Sequence, residues 1–296
     1  FGVKAANVAA MRDFGFAAGT VPDGYALPFY FYDAFMTHNG FYADVDDLLA
    51  DTDFQADIAT REDELKKLRS RIENGTLPDW MTTDLTELQA EFPEDTSIRC
   101  RSSTNNEDLP GFSGAGLYDS YTHHPTEGHL SKSIKQVFAS LWNLRAFEER
   151  EFHRVDHKAA AMGVLLHPNY SDEKANGVAV SDDPFYGTAD RFYVNAQVGE
   201  ELVTNPSALA VPEELLLGTG AEFTTTLVQH SNLVADDARV LSDTHIATLQ
   251  AALRTIHARF RTLYGVAEDA AFAMEIEFKV TADDTFAVKQ ARPWVY

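Results

Sequence analysis

The chain has 296 residues, 45% of them hydrophobic, with a formal net charge of −22. That length suffices for one large domain or two lobes with substantial cores, while so acidic a surface repels DNA and anionic lipid and argues against polyanion or membrane-surface binding. Cys100 is the only cysteine, which excludes an intrachain disulfide and any site built from several thiolates, and no run approaches the ~18 apolar residues of a membrane span.

The opening FGVKAANVAAMRDFG lacks an initiator Met and the charged-then-apolar pattern of a secretion signal. It reads as a cut inside a longer, cytoplasmic protein. Val3, Val8, Met11 and Phe14 form a short apolar-periodic segment that Gly15 can end, and Val21-Pro22-Asp23-Gly24 is a turn signal. The aromatic stretch Tyr25 to Tyr42 reads as core, and 44–58 as acidic and helical or loose. Thr60 to Gly75 is the clearest helix, with Thr60 as its cap, Leu65, Leu68 and Ile72 as its stripe and Gly75 at its end. Leu130 to Phe152 reads as one long amphipathic helix, and Thr244 to Tyr264 as another. Strands are expected over 97–102, 162–167, 177–181, 192–197, 223–229, 272–280 and 285–291. Helices and strands interleave without a βαβ rhythm, which favours an α+β fold.

Chemistry concentrates in three places. Arg99 and Arg101 alternate at a strand end, and the run Ser102 to Ser120 adds hydroxyls, amides and the glycines Gly111, Gly114 and Gly116. Guanidinium groups suit phosphate oxygens, and a glycine-rich backbone lets N–H groups approach an anion. No Gly-Lys-Ser/Thr follows, so this is not a Walker A loop, and composition alone fits an ordinary turn after a buried strand equally well. The second place is the hairpin at 273–292. A period of two puts Glu275, Glu277 and Lys279 on one face, and Gln290 and Arg292 on one face of the returning strand. Two carboxylates and an amide oxygen are hard ligands of the kind Mg²⁺ takes beside nucleotide phosphates, although a half-exposed polar face is the commoner meaning of such a pattern. The third is Lys4, after Gly2 at the mouth of a helix, a weak signal by itself. His123, His124 and His129 read as a surface loop, and His153 with His157 lacks the Glu of a zinc-protease motif.

In order, Gly2-Val3-Lys4-Ala5-Ala6-Asn7-Val8, Val21-Pro22-Asp23-Gly24-Tyr25, Arg101-Ser102-Ser103 with Glu107-Asp108-Leu109, Ala115-Gly116 and Gln290-Ala291-Arg292-Pro293 resemble the signatures of the ATP-binding domain of the phosphoenolpyruvate synthase and pyruvate phosphate dikinase family. Asn105 to Ser120 and Ala26-Leu27-Pro28-Phe29 are also similar to glucan and water dikinases, and rifampicin phosphotransferases carry the same type of domain. The resemblance implies an ATP-grasp-like α+β fold whose two lobes enclose a nucleotide cleft, as one nucleotide-binding domain over 1–296 with lobes at approximately 1–160 and 161–296. It further implies that Lys4 and Arg101 contact phosphates and that Gly116 and Ser120 line the nucleotide site. Glu275 and Glu277 would hold Mg²⁺ with Gln290, and Arg292 would bind the transferring phosphate, so that Arg101 and Arg292 are the catalytic residues. The implied activity is a dikinase reaction in which ATP ends as AMP and a histidine on a separate swivelling domain is phosphorylated before an acceptor such as pyruvate. None of the ten histidines lies in that domain's Gly-Gly-x-x-Ser-His-type motif, so the histidine is expected elsewhere in a longer protein or on a partner. The alternative is a non-catalytic nucleotide-sensing or assembly module. Two departures fall on the adenine side: His167 stands where many members have Gln, and Gln197-Val198-Gly199-Glu200 where they have Gly-Leu-Gly-Glu.

Overall fold

The computed structural model describes residues 1–106, 114, 116–201, 203, 207, 209–235 and 238–296. The chain divides into two compact units, one built from 1–6 and 23–169, the other from 7–22 and 170–296. The first helix, α1 (Val3–Met11), crosses from one to the other.

The first unit is a helical layer against a four-stranded antiparallel sheet. Its elements are β1 (Tyr25–Leu27), α2 (Phe29–His38), α3 (Phe41–Ala50), α4 (Thr52–Ala56), α5 (Ile58–Glu73), α6 (Asp79–Ala90), β2 (Ile98–Thr104), β3 (Tyr121–His123), α7 (Ser131–Ala139), α8 (Leu144–Phe152) and β4 (Met162–Pro168). The sheet order is β1-β4-β2-β3. Leu65, Leu68 and Ile72 bury the expected stripe of α5, but its cap is Asp57, whose carboxylate accepts from the Thr60 N–H at 2.8 Å. The segment expected as one helix over 130–152 is two. A 3₁₀ turn at Ser140–Trp142 and the extended Asn143 (ψ 139) separate α7 from α8, and the break lets Trp142 donate its indole N–H to the Tyr32 hydroxyl at 3.0 Å inside the core.

The second unit is a six-stranded antiparallel sheet, order β10-β9-β5-β6-β7-β8, with one long helix on it. Its strands are β5 (Ala175–Val180), β6 (Arg191–Val198), β7 (Glu213–Gly218), β8 (Thr225–Gln229), β9 (Met274–Val280) and β10 (Phe286–Pro293), and its helix is α9 (Asp243–Leu263). Ser242 caps α9 by accepting from the His245 N–H. The helix buries Ile246, Leu249, Leu253, Ile256 and Phe260 against the sheet face that carries Met274, Ile276, Phe278 and Val280, all fully buried. Gly177 on β5 is required there, because a Cβ would stand 2.3 Å from the Phe278 ring and 2.6 Å from the Asn195 carbonyl oxygen. β1, β3 and β7 were not among the expected strands; two of them are only three residues long, too short to show a period. No helix among the described residues is long and apolar enough to cross a membrane.

Candidate functional site

In the first unit the N-terminal motif packs on the arginine strand. Lys4, 9% exposed, donates from Nζ to the Ser102 carbonyl oxygen at 2.7 Å, and the Ala5 N–H donates to Ser103 Oγ at 3.1 Å. Gly2 has φ 81, and a Cβ on it would stand 2.3 Å from the Ser103 carbonyl oxygen, so the approach is open only to glycine. Two motifs a hundred residues apart therefore form one cluster beside Arg101, which is itself buried on β2 opposite Leu165. β3 begins at Tyr121, paired with Cys100, so Ser120 lies just before the start of β3, one residue along the chain from that pair. Gly116 is exposed with φ 68.

Described residues on either side of 107–113 make specific bonds. Asn105 exchanges backbone and side-chain bonds with Ala159 and Ala161. Tyr118 donates its hydroxyl to Asn106 Oδ1 at 3.1 Å, and Asn143 donates to the Leu117 carbonyl and the Asp119 carboxylate. Glu107, Asp108, Leu109, Gly111 and Ala115 lie outside the described residues.

In the second unit, β9 and β10 pair so that Glu277 faces Gln290 and Glu275 faces Arg292. Arg292 donates to Glu275 Oε1 from Nη2 at 2.7 Å and from Nε at 3.2 Å, and Lys289 Nζ lies 3.1 Å from Glu277 Oε2. Strict alternation from Phe286 would put Phe286, Val288, Gln290 and Arg292 on one face. A β-bulge between Val288 and Gln290 resets the phase, so Phe286 and Val288 stay in the core while Gln290 and Arg292 join the carboxylates. Lys289 is the extra residue. Alternation reasoning passed over it, and no local signal marks the bulge. Asn7 was also missed as a support: it donates to the Ala291 carbonyl at 2.9 Å and accepts from the Tyr264 hydroxyl at 2.9 Å, tying α1 to β10 and α9.

Other sequence candidates have structural roles. His123 is not on a surface loop but buried, bonded to Ser133 Oγ and the Gly128 carbonyl, and burial lowers its pKa. His157 stacks on Phe147 with centroids 3.9 Å apart, its pKa likewise lowered by burial. Burial in β2 pushes the Cys100 thiol up to about 12, far from a reactive thiolate. Of the two departures from the family pattern, His167 is buried in β4 opposite Arg99, and Gln197 is held by Ser231 and the Val211 carbonyl. Among the described residues no three His, Cys, Asp or Glu side chains cluster as a metal site.

The first unit brings a buried lysine on α1 against the strand that carries a buried arginine, and the second puts two carboxylates, an amide and an arginine on one sheet face of an α+β protein. Residues 1–295 match the family described as pyruvate phosphate dikinase, AMP/ATP-binding domain, and the chain belongs to that family. It is similar to phosphoenolpyruvate synthase from Aeropyrum pernix, 25% identical over 68% of this chain and 25% of that protein. It is also similar to a rifampicin phosphotransferase from a Streptomyces species, 27% identical over 77% of this chain and 27% of that one. A probable phosphoenolpyruvate synthase from Methanothermobacter thermautotrophicus is 27% identical over 92% of this chain and 42% of its own length. The chain thus spans about a quarter of the length of the first two relatives. The solved structure of D-alanyl-alanine synthetase A from Vibrio cholerae aligns with 71% of this chain and 45% of its own at a TM-score of 0.31 and 11% identity, a level that assigns no fold.

Proposed function

We propose that this chain is the ATP-grasp-like catalytic portion of a dikinase-type phosphotransferase, which converts ATP to AMP and phosphorylates a histidine carried on a separate domain, from which an acceptor such as pyruvate is served. The observation that supports this most is the pairing of β9 with β10, which brings Glu275, Glu277, Gln290 and Arg292 to one face. Phosphoryl transfer asks a protein mainly for cations, a metal and positioning, and the residues present divide that work. Lys4 and Arg101 hold phosphate oxygens, with Gly116 and Ser120 beside them, and Arg292 holds the group in transfer. The oxygens of Glu275, Glu277 and Gln290 fit a hard divalent cation; Mg²⁺ held there would neutralise charge building on the phosphates. The ion pairs to Arg292 and Lys289 balance and orient the carboxylates.

Calorimetric titration of the chain with Mg-ATP tests the reading. Saturable binding that Arg101→Ala and Glu277→Ala abolish, with both variants folded, is the expected result. No binding at millimolar nucleotide would overturn it. Tight binding without AMP release, when a phosphohistidine domain is supplied, would favour a nucleotide-sensing module.

A further inference from the structure

The second unit holds a cavity of about 450 Å³ on the helix side of its sheet. Three arginines line it: Arg191 at the start of β6, and Arg254 and Arg261 on α9. The two on α9 are seven residues apart, two helical turns, and so share a face with His257 between them. The anchors of all three guanidinium groups are neutral. Arg254 donates to the Gly220 carbonyl, Arg261 to the Ala267 and Ala270 carbonyls, and Arg191 to the Thr224 hydroxyl. Among the described residues none of the three has a carboxylate partner at ion-pair distance.

That is unusual in a chain with 46 acidic and 24 basic residues. Two carboxylates line the same cavity, Asp182 and Asp190. Asp182 accepts from the Tyr296 hydroxyl and from the Asp183 N–H rather than from an arginine. His257 is held by Ser181 Oγ at 2.9 Å, and burial together with Arg261 keeps its pKa below the usual value, so it adds no charge near neutral pH. Three guanidinium groups against two side-chain carboxylates give the side chains of this cavity an excess of positive charge in an otherwise anionic molecule.

We propose that this cavity binds the phosphate group of a small molecule, free or esterified. Guanidinium groups arriving from two elements can each present paired N–H donors to one tetrahedral anion, and a volume of this size accepts a small organic phosphate. Phe272, with the Ala270 and Ala271 methyl groups, offers apolar surface for a carbon skeleton. The site shares no residue with Glu275, Glu277, Gln290 and Arg292, which lie on the opposite sheet face. It therefore stands whether or not the nucleotide reading does. One wall is linked to that face: Ser181 Oγ, which holds His257, also accepts from the Met274 N–H at 2.8 Å, one residue before Glu275.

The test is titration calorimetry of the chain at ~0.15 M salt, so that weak surface attraction is screened. The probes are inorganic phosphate and ribose 5-phosphate, with unphosphorylated ribose as control. At least one phosphate probe is expected to bind and ribose is not. Equal affinity for the two phosphates identifies free phosphate as the ligand, and a ten-fold advantage for the ester identifies an organic phosphate. Arg254→Gln and Arg261→Gln should each weaken binding about ten-fold through loss of a charge-assisted contact. Asp190→Asn should tighten it several-fold by removing a like charge; Asp190 has φ 58, a conformation Asn also adopts, and a gain cannot come from a damaged fold. Binding that ignores all three substitutions, that Asp190→Asn weakens, or that vanishes with Arg101→Ala instead would overturn the proposal, as would no binding of either phosphate.

Discussion

Lys4 reaches from the first turn of its helix to the carbonyl oxygen of Ser102, 2.7 Å away and buried, one residue beyond Arg101. This bond holds the Lys4 ammonium group against β2, where the proposed function has it serve a phosphate together with Arg101. Lys4→Met keeps the apolar stem and removes the ammonium group. It should cost about 1–3 kcal/mol of stability, since a buried carbonyl loses a charged donor, and lower ATP turnover by about a hundred-fold or more. Denaturant titration and an AMP-release assay separate the two effects. Full turnover with reduced stability would make Lys4 purely structural.

Glu277 is paired with Lys289. Glu277→Gln preserves shape and removes the charge a divalent ion needs. The Mg²⁺ concentration for half-maximal ATP turnover should rise by ten-fold or more, while affinity for metal-free ATP stays within about two-fold or improves, because one carboxylate near the phosphates has gone. An unchanged Mg²⁺ requirement would remove Glu277 from the metal site.

Three buried or half-buried histidines, His123, His157 and His257, have pKa values lowered by burial. The unfolded chain binds protons at these positions near pH 6.5 while the folded chain does not, so stability is fully present above about pH 7 and is lost as pH falls below 6.5. Each contributes a slope of up to about 1.4 kcal/mol per pH unit in that window. Glu127 acts lower down. The His124 N–H and Lys132 hold its pKa at about 2, so its contribution is lost only as pH falls from about 4.5 towards 2. Urea denaturation between pH 7.5 and 5.5 should show falling stability, and His123→Gln should flatten the slope by about one proton. Stability that is flat or rises towards pH 5.5 would mean that relief of carboxylate repulsion outweighs the histidines.

Long, strongly periodic elements were legible in the sequence. The stripe of α5 and the span of α9 follow from spacing, and seven strands fall near their expected places because alternation and β-branched residues mark them. The break between α7 and α8 was not legible, since Ile134, Val137, Phe138, Leu141 and Trp142 keep helical spacing through the 3₁₀ turn, and only the tertiary demand of Trp142 for the Tyr32 hydroxyl distinguishes it. The resemblance implied that Lys4 and Arg101 each contact phosphates, but the contact of the first motif with Ser102 and Ser103 depends on a chain reversal that no local pattern encodes. The cationic cavity was invisible for the same reason. Arg191 lies over sixty residues from Arg254, and its neighbours in sequence are ordinary loop and strand residues.

The bulge in β10 supplies a contrast between two single-residue deletions. Lys289 is the extra residue opposite Glu277. Without it, Val288 still faces Phe278, Gln290 still faces Glu277 and Arg292 still faces Glu275, because deletion only restores a regular ladder. Deleting Ala291 instead moves Arg292 into the position opposite Ile276, which is fully buried, as is Ala291 itself. An arginine there has no carboxylate and loses Glu275, a change worth about 3–5 kcal/mol by the usual cost of an uncompensated buried charge. Deletion of Lys289 should therefore cost no more than about 1–2 kcal/mol, on the scale of a cross-strand pair and a surface ion pair, and deletion of Ala291 should leave little folded protein. Thermal unfolding of the two variants decides it. Equal loss in both would mean that the bulge is needed for the twist of the hairpin, and that phase alone does not account for the place of Gln290 and Arg292.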